Sequence, residues 1–112
     1  RLGQAMEVLF PGSTGVARKF ETRVVEFQPG TPAEVNGVAV TAHEVPHQSG
    51  APSCALRLES GGKVVAYSGD GEWSPALVEV GRGADLLIAE ALVLERPTKF
   101  HLDYATLSAH LD

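Results

Sequence analysis

The sequence predicts a mixed α/β (α+β) unit, a largely antiparallel sheet with helices laid on a face. Three observations carry this. Short β-prone runs alternate with tight-turn dipeptides through the middle of the chain. Apolar residues recur at helical spacing near both ends. One nearly continuous apolar run, Leu86-Leu87-Ile88-Ala89, follows a good helix start. The 112 residues correspond to one domain or part of one, and a 44% hydrophobic composition is enough for a packed core.

Leu2, Ala5, Met6 and Leu9 follow the i, i+3, i+4, i+7 rule, so residues 1–10 read as a helix with one apolar face. Pro11-Gly12-Ser13 stops it. Residues 20–27 form a β-prone run that Pro29-Gly30 breaks. Asn36-Gly37 suits a two-residue type I′ hairpin turn, because both central residues must take positive φ. A strand over 38–45 follows and runs into Pro46-His47. Residues 54–59 and 63–68 form a second strand pair across Ser60-Gly61-Gly62, with Leu56 and Leu58 on one face and Arg57 and Glu59 on the other. Gly69-Asp70-Gly71 marks a sharp turn. Ser74-Pro75 offers a capping hydroxyl and a first-turn proline for a helix ending near Gly81 or Gly83. The run 85–91 reads as a strand covered on both faces, and 92–100 as a loop. From Asp103 onward Tyr104, Leu107 and Leu111 recur at helical spacing.

Nine basic against fourteen acidic residues leave a net charge of −5, and the basic residues are scattered. No stripe of the kind a phosphate backbone needs is present, so composition gives no support to a nucleic-acid surface. One cysteine, Cys54, rules out an intramolecular disulfide and a cysteine-based metal site. That usage fits a reducing compartment, and a cytoplasmic location is the expectation. No apolar run reaches the length of a membrane span. The chain opens on Arg1 within a helical pattern, as a truncated or processed chain does.

Four histidines are candidates for chemistry: His43, His47, His101 and His110. His47 and Asp70 have the strongest positions, each where a strand ends and a glycine- or proline-rich loop begins. A histidine and an aspartate are an ordinary ligand pair for Zn²⁺, Mn²⁺ or Fe. Residues 43 and 47 lie on one face of a strand, so spacing alone does not separate them. The ordinary alternative for Asp70 is a turn-forming aspartate.

Val64-Val65-Ala66-Tyr67-Ser68-Gly69-Asp70-Gly71, followed by Ala84-Asp85-Leu86-Leu87-Ile88-Ala89-Glu90-Ala91, resembles the distal half of the metallo-β-lactamase superfamily, in particular its ribonuclease Z-like branch. The resemblance implies that residues 1–112 are the C-terminal portion of a single αββα sandwich domain, truncated at both ends. It implies that Asp70 bridges two metal ions, Zn²⁺ being expected with Mn²⁺ or Fe as alternatives, and that His47 is a further metal ligand. His101, in Phe100-His101-Leu102-Asp103, would be the catalytic proton donor, and Glu90 the carboxylate that orients it. His43 and His110 take their ordinary readings, a strand residue and a polar helix face. Three features depart from the family pattern. The last histidine ligand, which in the family follows the final helix, is expected beyond Asp112. The H-x-H-x-D-H motif is absent from these residues, and Gly71 stands where a threonine usually follows the aspartate.

The function implied is hydrolysis by a metal-activated hydroxide at a dinuclear centre, with a phosphodiester as substrate. A small-molecule phosphodiester ranks above a nucleic acid such as a tRNA 3′ end, because no basic patch is visible. A lactone, thioester or sulfate ester is compatible with the same fold. A homodimer is an expected partner state, and a membrane is not an expected partner. The competing class is a non-catalytic fragment acting as a binding or dimerisation unit.

Overall fold

The computed structural model describes residues 2–21 and 23–111. Arg1, the first residue of the expected N-terminal helix, lies outside the described residues, as do Thr22 and Asp112. The elements in order are α1 (Leu2–Leu9), a short 3₁₀ turn (Ser13–Gly15), β1 (Ala33–Val35), β2 (Val38–Val45), β3 (Ser53–Ser60), β4 (Lys63–Tyr67), α2 (Pro75–Gly81), β5 (Leu86–Ile88) and α3 (Tyr104–Ser108). The strands form one sheet in the order β1-β2-β3-β4-β5. β1 to β4 pair antiparallel, while β5 pairs parallel to β4. That parallel step needs a crossover, and α2 supplies it.

The turns follow local chemistry. Asn36 and Gly37 take φ 52° and 80° and join Val35 to Val38 directly, as the dipeptide predicts. Gly61 and Gly62 take φ 57° and 73° between the paired residues Ser60 and Lys63. Pairing of His43 with Ala55 and of Arg57 with Ala66 puts Val45, Ala55 and Ala66 on the same face of the sheet. There they meet Val80 of α2, with Ala76, Leu77 and Ala84 packed around them. Arg57 lies on this face too, and its Nη1 donates to the carbonyls of Val80 and Arg82 at 3.0 and 2.8 Å, satisfying the end of α2. The opposite face carries Leu56, Leu58, Val65 and Tyr67, and Tyr67 is exposed.

Three expectations are corrected. The run 20–27 forms no strand among its described residues: Phe20, Val24 and Val25 are exposed. β-propensity records packing on a pleated surface, and among the described residues no strand pairs with this segment. Strand β5 covers only Leu86–Ile88, and its residues are 52, 37 and 49% exposed rather than covered on both faces. It lies at the edge of the sheet, and the crossover helix packs on β2, β3 and β4. Ser74 precedes α2 as expected but its hydroxyl makes no capping bond; Oγ is buried without a partner among the described residues. The Leu77 N–H that it would cap donates instead to the Ser74 carbonyl at 3.0 Å. The apolar face of α1 is present, but α1 buries none of its residues.

Candidate active site

Sheet direction assembles the site. Two successive antiparallel pairings make β2 and β4 run the same way, and β5 runs with β4. The C-terminal ends of these three strands therefore share one edge of the sheet. His47 follows β2, Asp70 follows β4 and Glu90 follows β5. His101 reaches the same edge from the loop before α3.

Glu90 is the hub. Its Oε1 lies 2.5 Å from His101 Nδ1, and the two side chains are 16 and 30% exposed. Its Oε2 accepts from the Gly71 N–H at 3.3 Å and the Leu102 N–H at 3.4 Å. The Glu90 N–H in turn donates to Ser68 Oγ at 2.8 Å, and the buried Ser68 hydroxyl donates to the Gly69 carbonyl at 2.8 Å. A carboxylate acceptor at Nδ1 favours the ring proton on that nitrogen and leaves Nε2 outside this bond.

The His47 ring stands edge-on to His101, with centroids 5.4 Å apart and planes at 81°. The Phe100 ring also stands edge-on to His47, with centroids 6.4 Å apart and planes at 65°. His47 Nδ1 is buried with no hydrogen-bond partner among the described residues. A buried ring nitrogen in that condition suits a ligand atom, because an unmet polar group is costly. Asp70 is exposed on its turn. The turn itself demands glycine: Gly69 has φ 62°, and a Cβ there would meet the Cys54 carbonyl oxygen at 2.8 Å. Cys54 is the lone thiol. Burial, followed by the nearby Glu44 charge, pushes its pKa up, away from a reactive thiolate.

Among the described residues no group of three or more histidine, cysteine, aspartate or glutamate side chains could hold a metal ion. The described residues around His47 and Asp70 therefore do not form a complete ligand set. His43 lies within β2 opposite Ala55. His110 is exposed; its Nδ1 donates to the Thr106 carbonyl at 2.8 Å, and its ring lies 4.1 Å from Trp73. An apolar groove of about 420 Å³ runs between α2, β5 and α3, and none of His47, Asp70, Glu90 or His101 lines it.

The family description "Beta-lactamase superfamily domain" matches residues 3–111. The chain belongs to that family. A crystal structure of the metallo-beta-lactamase fold protein YhfI from Bacillus subtilis superposes with a TM-score of 0.65 at 21% identity, over 87% of this chain and 41% of that one. The chain thus has the metallo-β-lactamase fold and spans under half the length of that neighbour. No curated protein matches it. No helix among the described residues is long and apolar enough to cross a membrane.

Three contributors escape a linear reading. Ser68 bonds the Glu90 backbone from 22 residues away. Glu72 accepts from the Phe100 N–H across 28 residues. Phe100 itself holds φ 68°, a left-handed conformation that a bulky residue rarely adopts. The Gly-Asp-Gly turn signals a special backbone near Ser68, but no local pattern marks Glu72 or Phe100.

Proposed function

We propose that this chain carries part of the active site of a metal-dependent hydrolase, a ribonuclease Z-like phosphodiesterase. The observation behind the reading is the Glu90–His101 pair, held on the same sheet edge as His47 and Asp70. Asp70, as the bridging carboxylate, and His47 would hold the metal, a pair of zinc ions being the reading and Mn²⁺ or Fe the alternatives. The bound pair supplies Lewis acidity and a nucleophilic hydroxide at neutral pH.

The chain's own residues do the rest. Glu90 fixes the His101 tautomer and stabilises the imidazolium. His101 then donates the Nε2 proton to the departing oxygen of the substrate and recovers it from water after release. A small phosphodiester is preferred over a nucleic acid, since the chain is acidic and its basic residues are scattered. The activity belongs to the cytoplasm in this reading, with a homodimer as the working assembly. One observation favours a second reading as a non-catalytic binding or dimerisation unit: the described residues hold no three-ligand cluster.

The deciding measurement is metal content of the intact protein with and without Asp70→Ala, alongside hydrolysis of an aryl phosphodiester. The expected result is loss of at least one metal equivalent and of hydrolysis together. Unchanged metal loading sinks the bridging role, and an intact protein that holds no metal favours the second reading.

A further inference from the structure

Glu72 sits where three loops meet. Its backbone N–H donates to the Pro46 carbonyl at 3.0 Å, immediately before His47. It lies two residues beyond Asp70. Its side-chain Oε1 accepts from the Phe100 N–H at 2.6 Å, immediately before His101. One partly buried residue thus ties the His47 loop, the Asp70 turn and the His101 loop to each other.

The bond to Phe100 falls at the least comfortable point of that last loop. Phe100 has φ 68°, where a Cβ crowds the backbone. The His101 N–H closes the turn onto the Thr98 carbonyl at 3.1 Å, and the Lys99 ammonium lies 4.8 Å from the Phe100 ring centroid. Neither contact engages the Phe100 amide. A carboxylate acceptor gives that amide a charge-assisted bond, about twice as strong as a neutral one. Relaxed to negative φ, Phe100 would redirect the chain at residue 101 and carry the imidazole away from Glu90. We propose that Glu72 is a positioning residue for His101: it clamps Phe100 in the left-handed conformation that aims the imidazole at Glu90 and His47. The proposal rests on the hydrolase reading for its purpose, but its geometry stands apart from it.

The test is proton NMR and amide exchange on the protein and its Glu72→Ala and Glu72→Gln variants, with hydrolysis measured in parallel. In the parent, the His101 Hδ1 shared with Glu90 gives a far-downfield ring signal, and the Phe100 amide exchanges slowly. Glu72→Ala is expected to raise Phe100 exchange about 10-fold or more and to erase the Hδ1 signal. Glu72→Gln, whose amide oxygen can accept the same bond, keeps the Hδ1 signal while the Phe100 amide proton moves upfield. Where the parent hydrolyses a phosphodiester, Glu72→Ala lowers kcat about 10- to 100-fold with KM little changed. Glu72→Ala with slow Phe100 exchange and an intact Hδ1 signal overturns the proposal. If that variant does not fold, an unmoved Phe100 amide in Glu72→Gln overturns it instead. An intact parent that is inert toward the phosphodiester refutes the phosphodiesterase reading alone, because the Hδ1 and exchange results still decide the clamp.

Discussion

Gly71 is held to glycine by Val45. Gly71 is buried, and a Cβ built on it meets Val45 Cγ2 at 2.8 Å, Val45 Cβ at 3.1 Å and the Pro46 carbonyl oxygen at 3.4 Å. Val45 cannot swing aside, since a β-branched side chain is stiff at χ1 and this one is packed in the core at 7% exposure. Overpacking of this kind costs about 1–3 kcal/mol. Gly71 has no positive φ, so replacing it also reduces unfolded-chain entropy, a gain of about 0.4–1 kcal/mol. Gly71→Ala should therefore destabilise by about 1.3 kcal/mol at mid-range and by about 2.6 kcal/mol at most on combining those two effects, and Gly71→Thr by more. Val45→Ala alone loses buried methyl groups at about 0.8 kcal/mol each and leaves a cavity. In the double variant the new Cβ enters that space, so the two costs should fall short of additive by about 1 kcal/mol or more. Urea unfolding of the four proteins measures the cycle, with midpoints compared at a common m-value. Additivity within about 0.5 kcal/mol, or a Gly71→Ala variant as stable as the parent, refutes the steric account.

Three further outcomes follow from the hydrogen bonds of Glu90 and Asp103. Glu90→Ala strands the Gly71 and Leu102 amides and the His101 Nδ1, so denaturant unfolding should show a loss of about 1–3 kcal/mol. Glu90→Gln should keep most of that stability but lower any hydrolysis about 10²- to 10⁴-fold through the imidazole, and equal kcat for parent and variant would remove Glu90 from the mechanism. Asp103 caps α3, accepting from the Thr106 hydroxyl at 2.7 Å and the Thr106 N–H at 2.8 Å, and those bonds hold its pKa below the ordinary carboxylate value, the hydroxyl contributing most. Its contribution is thus fully present above the unfolded carboxylate pKa of about 3.9 and disappears as pH falls through the lower folded value. Asp103→Asn should flatten this part of the acid-unfolding profile, and an unchanged profile would show that the cap does not set it.

What was legible in the sequence follows the range of each interaction. Asn36-Gly37, Gly61-Gly62 and Pro75 act within a few residues, and the structure has the hairpins and the start of α2 where those residues require them. The run 20–27 and the burial of β5 depend on which segment lies alongside, and no local signal carries that.

The site divides in the same way. His47 and Asp70 stand out in the sequence as chemical types at strand ends before glycine- or proline-rich loops, whereas Glu90 and His101 are nominated by the family resemblance. That they share one edge is a consequence of strand direction: two antiparallel pairings and one parallel crossover return β2, β4 and β5 to the same side. The resemblance paired Glu90 with His101, and the structure gives that pair its distance; the tertiary structure alone decided that His47 Nδ1 is buried without a partner among the described residues and that Val45 excludes a side chain at residue 71. It also decided the role of Glu72, whose acceptor oxygen finds its donor 28 residues away. Hydrogen bonds and steric exclusion reach only a few ångströms through space, and distance along the chain says nothing of them until the sheet has folded.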